Sequence, residues 1–347
     1  METPPLESQT GNVPSVTAEG ESLPSNPQRL RYSSIAAPDF GGHTRIGSRV
    51  LWYRVPLPID LNHINVWLIE SNEGYLLVDT GMSADMCKEA WQRIHDDLFA
   101  RIAPRALFVT HVHPDHIGLA SWLQERYAMP VWMSEQSLAL AEGVYGARSP
   151  SSAEIERFLR THGVDDSTVH ALFKPERFGR MMKGLPHIER FIEDSEHIDW
   201  GDGDWTALRT DGHADGHLCL WNEREHILIS GDQVLPTISS NISITFRRPD
   251  ANPLRDYLSS LERLRELPED TLVLPSHGRP FYGLHQRIDD LFAHHERQLA
   301  RLKSACVTPL SAREVLPFLF RRELAGMHFL LALGEALSPG FASPQQI

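Results

Sequence analysis

The chain has 347 residues, 41% of them apolar and 23% charged, with three cysteines and a formal net charge of −13. Length and apolar content allow one large domain, or one domain with an appendage, around a sizeable core. The acidity argues against a general affinity for nucleic acid or anionic lipid, and the odd, scattered cysteines (Cys87, Cys219, Cys306) argue against a disulfide framework. No apolar run approaches the roughly 20 residues needed to span a bilayer.

Residues 1–45 are rich in Pro, Ser, Glu, Gly and Asn and lack the basic and apolar regions of a signal peptide, so a flexible arm and a cytoplasmic location are expected. Short strands follow at Val50–Val55, Ile64–Ile69 and Tyr75–Val78, separated by Pro-rich and Asn-Glu-Gly turns. The third runs into Asp79-Thr80-Gly81. Asp79 suits a turn or a helix cap; at the end of a strand it equally suits orienting a metal-binding histidine. A helical pattern covers Ala84–Ala100, and the apolar strand Ala106–Val109 leads into Thr110-His111-Val112-His113-Pro114-Asp115-His116.

This stretch delivers three imidazoles and a carboxylate to the tip of a buried strand. Alternate residues of an extended segment share a side, so His111 and His113 can face one ion, while Asp115 and His116, past the proline turn, can face a second. The mixture of nitrogen and oxygen donors suits zinc, iron or manganese. A helix at about Ile117–Tyr127 and a strand at Met129–Met133 continue a layered α/β pattern.

Residues 151–193 read as a charged helical insertion, with helices at Glu154–His162 and Asp166–Phe173; it is expected to shape access to the site. Its histidines, His162, His170 and His187, have no ligand spacing and read as surface or packing residues. Strands resume at Trp205–Arg209, His217–Trp221 and Ile227–Ile229. Between the first two, His213 lies in a glycine-flanked loop free to reach a metal, whereas His217 opens a strand and reads as a hydrogen-bonding support. Asp232 follows the third strand, where a carboxylate can bridge two cations. The strand Leu272–Leu274 ends at His277. Ligands thus arise at four separate strand ends. The segment Val234–Ser243, with Asn241, is expected to line the pocket. His285 and Arg287 would either reach an anionic substrate group or anchor a tail helix.

With these residues in place, the chain resembles the metallo-beta-lactamase superfamily. His111–His116 matches its HxHxDH motif, and Gly212-His213, Asp232 and His277 match its later ligands in order over about Val50–Gly283. The resemblance implies an αββα sandwich, with His111, His113 and His213 on a first metal, Asp115, His116 and His277 on a second, and Asp232 bridging. Zinc is the first expectation, with iron or manganese as alternatives. From such a site the expected chemistry is a hydroxide shared by two ions, attack on an ester, thioester or lactone carbonyl of a small molecule, and proton relay through Asp115. His277 is followed by Gly278-Arg279-Pro280-Phe281 where glutathione-hydrolysing members carry Glu-Tyr-Thr, which argues against that substrate. Residues 284–347, through His285, Arg287, His294, His295, Arg297 and Leu310–Leu337, are similar to the helical, winged-helix-like domain of the beta-lactamase-like protein 2 subgroup. That likeness raises an endoribonuclease as the alternative activity, against which the acidity weighs; a non-catalytic metal-binding sensor would need only part of the ligand set. The tail's apolar face is expected to cap the core or to pair two subunits as a homodimer.

Overall fold

A computed structural model describes residues 30–339, apart from 147–148, 173–181, 183, 202, 204, 245 and 322. Its strands form two seven-stranded sheets. The first strand, β1 (Arg31–Tyr32), belongs to the second sheet. The first sheet has the order β2 (His43–Ile46), β3 (Val50–Pro56), β4 (His63–Ser71), β5 (Gly74–Val78), β6 (Pro104–Phe108), β7 (Val131–Met133), β8 (Ile188–Phe191). The second has β1 at one edge and β9 (His197–Ile198) at the other. Between them run β14 (Phe281–Tyr282), β13 (Leu272–Pro275), β12 (Ile227–Gly231), β11 (Leu218–Asn222) and β10 (Trp205–Arg209), in that order from β1.

Alternation along the strands sorts side chains into layers. Val50, Trp52, Trp67, Ile69, Val78 and Phe108 of the first sheet meet Trp205, Leu218, Leu220, Ile229 and Leu274 of the second in one buried cluster. The intervening residues Leu51, Tyr53, Val66, Leu68 and Leu77 face outward and are covered by α1 (Asp85–Ile94) and α3 (Ala120–Tyr127), through Trp91, Ile94 and Leu123. On the far side, Cys219, Trp221, Leu228 and Val273 are covered by α7 (Pro253–Leu264) and α8 (Leu284–Ala305). The order is helix, sheet, sheet, helix, as expected. Each fully buried large apolar side chain contributes about 1.5–3 kcal/mol.

Each sheet contains a parallel pair joined by a helical crossover: β5 with β6 through α1, and β12 with β13 through α7. Parallel neighbours end at the same edge. Asp79 and the Thr110 stretch therefore leave the first sheet side by side, as Asp232 and His277 leave the second. A main-chain bond from Leu218 N–H to Thr110 O (3.0 Å) ties the two sheets together there.

Several elements differ from expectation. Part of the stretch expected as a flexible arm, residues 30–45, supplies β1, which pairs with β14, and most of β2, which pairs with β3; residues 1–29 lie outside the described residues. The helix expected over Ala84–Ala100 is α1 followed by a single π-helical turn at His95–Phe99. The helix expected at Ile117–Tyr127 divides at Gly118-Leu119 into α2 (Pro114–Ile117) and α3. Helix α4 (Glu135–Tyr145) and α7 are additional to the expected elements. The insertion holds α5 (Ser152–Thr161), capped by reciprocal Ser151 and Glu154 bonds, and α6 (Asp166–Leu172), but it also supplies β8. Phe173 lies outside the described residues.

Helices α5 and α6 bury Leu159, Val164 and Val169 in one cluster with α9 (Ala312–Leu319) and α10 (Gly326–Leu337). The described elements of the tail are all helical. No helix among the described residues is long and apolar enough to cross a membrane.

Candidate metal centre

The four expected strand ends converge. His111, His113, His213 and Asp232 place donor atoms within 4.8 Å of one another, and so do Asp115, His116, Asp232 and His277. In the first group His111 Nε2 lies 2.9 Å from His113 Nδ1 and 3.2 Å from His213 Nε2, and His213 Nε2 lies 3.5 Å from Asp232 Oδ2. In the second, His116 Nε2 is 3.6 Å from Asp115 Oδ2 and 3.4 Å from Asp232 Oδ1; His277 Nε2 is 3.2 Å and 3.5 Å from the same oxygens. Donors around one four-coordinate ion with bonds of about 2.0–2.1 Å sit roughly 3.3 Å apart. The observed spacings bracket that value. Asp232 faces the first group with Oδ2 and the second with Oδ1.

Hydrogen bonds fix which ring nitrogen points inward. A carboxylate or carbonyl oxygen can only accept, so its histidine partner must donate. His116 Nδ1 donates to Asp79 Oδ2 (2.8 Å), His213 Nδ1 to Asn241 O (2.8 Å) and His277 Nδ1 to His63 O (2.8 Å). Each ring thereby points its Nε2 into the cluster, where the neutral form offers a lone pair. His116 Nε2, His277 Nε2 and Asp232 Oδ1 are buried without a hydrogen-bond partner. Buried polar atoms left this way are costly, and three of them converging fit the place of a cation.

The carboxylates agree with that fit, while the same acids raise His116 and His277. Burial would raise Asp232, but His116 and His277 hold it well below the usual carboxylate range; Asp115 is likewise held at about 2, chiefly by His116 against burial. Burial opposes charge on His116, yet Asp79, Asp232 and Asp115 raise it well above its ordinary value. Burial lowers His111 far below its ordinary value and His113 to about 3, with neighbouring imidazoles adding to the effect.

His217 is close by but excluded from both groups. Its Nε2 accepts the main-chain N–H of Asp232 (3.2 Å) and its Nδ1 donates to Thr210 Oγ1 (2.8 Å). With no lone pair left, it braces the bridging acid. Asp79, in the left-handed region at φ 64°, accepts from Thr110 N–H (2.8 Å) and Thr110 Oγ1 as well as from His116.

Asn241 enters differently from expectation: its main-chain oxygen meets His213, while its side chain turns to Glu335 of α10 (2.7 Å). His285 Nε2 bonds Leu267 O (2.7 Å) and ties the start of α8 to the turn that follows α7. Arg287 is fully buried and donates from Nε to Leu235 O and from Nη2 to Ile238 O, both at 2.6 Å. It holds the segment behind Asp232 from below. Asn65, absent from the expected set, locks β4 to the His277 turn through Pro275 O (2.7 Å) and Gly278 O (2.9 Å). Tyr145 of α4 was also missed; burial first, and the Asp115 charge second, push its phenol above its ordinary pKa. His111 and His116 are fully buried, whereas His113 and Pro114 are partly exposed, so the cluster opens on the His113 side. A cleft of about 550 Å³, lined in part by Gln136, Leu140, Asp215 and Arg248, adjoins the His213 loop.

Two paired donor groups sharing one carboxylate, at the strand-end edge of an αββα sandwich, define a candidate two-metal site of the metallo-hydrolase kind. The chain belongs to the metallo-beta-lactamase superfamily, whose family profile matches residues 59–277. A second profile, the metallo-beta-lactamase-like C-terminal domain, matches residues 299–338. Among relatives, the probable metallo-hydrolase YqjP of Bacillus subtilis is 26% identical over 251 residues, which is 70% of this chain and 76% of that protein. The human acyl-coenzyme A thioesterase MBLAC2 is 26% identical over 261 residues, 71% of this chain and 84% of that protein. A beta-lactamase domain protein from Burkholderia ambifaria superposes with a TM-score of 0.83 at 34% identity, covering 92% of this chain and 93% of the other.

Proposed function

We propose that this chain is a two-metal hydrolase of carbonyl esters, and of thioesters in particular, acting on a small molecule. The observation that carries the reading is Asp232, whose two oxygens face two separate donor groups beside orphaned nitrogens of His116 and His277. His111, His113 and His213 would hold the first divalent ion; Asp115, His116 and His277 would hold the second; Asp232 would join them. Zinc is the first choice, with iron or manganese as alternatives. When bound, such a pair supplies Lewis acidity to a carbonyl oxygen and acidifies water.

The chain's own groups do the rest. The carbonyl and carboxylate acceptors keep a proton on Nδ1 and aim each Nε2 inward. Asp79, Thr110, Thr210 and His217 are buried behind the cluster, so substrate approaches past the partly exposed His113 and Pro114. Asp115 lies beside that opening with its carboxylate ionised, placed to take and return a proton. The completeness of both donor groups favours catalysis over a sensor role. The acyl-coenzyme A thioesterase activity in the name of MBLAC2 favours a thioester among carbonyl substrates. The cleft beside the His213 loop has the volume of a small-molecule site. Three cysteines without a disulfide suit a reducing cytoplasm.

The test is metal analysis of purified protein, followed by assay on acyl thioesters, esters, lactones and single-stranded RNA. Thioester or ester turnover that is lost with a chelator and in Asp232→Ala is expected. Unchanged turnover in metal-stripped Asp232→Ala, or RNA cleavage with no carbonyl substrate turned over, overturns the reading.

A further inference from the structure

We propose that the C-terminal helix α10 is part of the first metal site, with Glu335 acting as a positioning residue for His213 through Asn241. This inference rests on the two-metal reading and extends it to a region remote in sequence from every donor. His213 is oriented by one bond, from Nδ1 to the main-chain oxygen of Asn241 (2.8 Å). The position of that oxygen is set by how the segment 240–244 is held. At its start, Ser240 Oγ donates to the main-chain oxygen of Asp232. At its other end Ile242 is buried in the apolar cluster with α7 and α8 and Ser243 Oγ lies 2.7 Å from Asn241 Oδ1, while the hydrogen bonds to another element come from α10. Asn241 Nδ2 donates to Glu335 Oε1 (2.7 Å), Ser243 Oγ lies 3.1 Å from Leu331 O, and Ile244 N–H donates to Gly334 O (3.0 Å).

The fit is close. A Cβ on Gly334 would come within 2.7 Å of Ser243 Cβ and 2.9 Å of Ile244 O, so the helix backbone lies directly on the segment. Helix α10 is itself fixed by Phe329, Leu333 and Leu337 in the apolar cluster shared with α5 and α9. Among the bonds between α10 and residues 241–244, the Glu335 bond is charge-assisted and thus about twice as strong as a neutral one. A displaced Asn241 moves the acceptor that sets the His213 tautomer and ring direction. Outer partners of metal-ligating histidines typically change metal affinity about 10–100-fold when removed. The other aimed histidines take their direction from Asp79 and the His63 carbonyl, neither of which is on α10. The effect is therefore confined to one of the two ions.

The experiment is calorimetric titration of Zn²⁺ into chelator-stripped full-length protein, together with thermal melting of the metal-free form. Glu335→Leu and Asn241→Ala, the latter keeping the main-chain acceptor, are each expected to weaken one of two binding steps about 10–100-fold and to leave the other unchanged. Glu335→Gln, whose amide oxygen still accepts from Asn241, is expected to retain the affinity. Asn241→Ala carries the test if Glu335→Leu loosens the helix. Unchanged affinities in both variants, or equal weakening of both steps alongside a lowered metal-free melting temperature, overturn the proposal. Wild-type protein that takes up no Zn²⁺ removes the two-metal reading, and this inference with it, before any variant is compared.

Discussion

Asp79 Oδ2 lies 2.8 Å from His116 Nδ1, with both side chains almost completely buried. The same carboxylate also takes the Thr110 N–H and hydroxyl, so one acid fixes a proposed metal donor and the turn from which the other donors leave. Asp79→Ala should lower affinity for the second ion about 10–100-fold. It should also cost about 1–3 kcal/mol for each Thr110 donor left buried and unpaired, with a further ~1 kcal/mol for alanine at positive φ. Asp79→Asn, which tolerates that backbone and still offers one oxygen, should lose less. Metal titration and urea unfolding of the metal-free variants check both numbers.

Gly231 sits at φ 52°, where a Cβ would collide with His217 Nε2. Gly231→Ala should therefore push His217 off the Asp232 N–H and destabilise the protein by at least about 2 kcal/mol, from left-handed strain and overpacking together. Bound metal per chain should fall as well. A fully metallated Gly231→Ala protein of unchanged stability would show that the His217 brace has no effect on the bridging acid.

Arg287 poses a choice between two roles that kinetics can separate. A residue that binds an anionic substrate raises KM on removal and leaves unfolding free energy alone. Held between two main-chain oxygens at 2.6 Å, Arg287 should behave the other way. Arg287→Met is expected to lower stability by about 1–3 kcal/mol for each orphaned acceptor. Arg287→Lys should recover only part of it, since an ammonium lacks the two-pronged geometry.

His295 of α8 stacks edge-on against Tyr257, and burial, with His294 second, lowers its pKa to about 3. The unfolded chain, with an ordinary histidine near 6.5, binds that proton more tightly. The contribution to stability is therefore complete above pH ~6.5 and declines as pH falls towards 3, by up to about 1.4 kcal/mol per unit. His295→Phe keeps the ring contact and removes the titration. Its stability relative to wild type should rise steadily between pH 7 and pH 4 in metal-free protein; a constant difference across that range would rule the effect out.

The strand ends were legible because their signal is local. An apolar run broken by His, Asp or Gly announces both a buried strand and the polar cargo at its tip, and Thr110–His116, Gly231-Asp232 and Ser276-His277 all read this way. The same runs indicate layered α/β architecture, whereas the sandwich was implied by the family resemblance of the ligand motifs. What escaped was carried by the main chain. Strands β1 and β8 pair through backbone groups with little apolar patterning, and the acceptors for His213 and His277 are carbonyls, which no residue type advertises. Arg287 was singled out for its charge, but its partners are again carbonyl oxygens, in a segment 49 to 52 positions away. Glu335 lies 94 positions from Asn241, a separation over which a single sequence has no periodicity to offer.

Insertion and tail meet in one apolar cluster, with Leu159 and Val169 from the first against Val315, Phe329 and Leu333 from the second. Neither half can be trimmed without stripping the cover from the other. A truncation after residue 305, which keeps α8 over the second sheet, would leave α5 and α6 with a bare oily flank, so such a shortened protein should clump during expression unless residues 151–172 are removed with the tail. Homologues should then carry both pieces or neither.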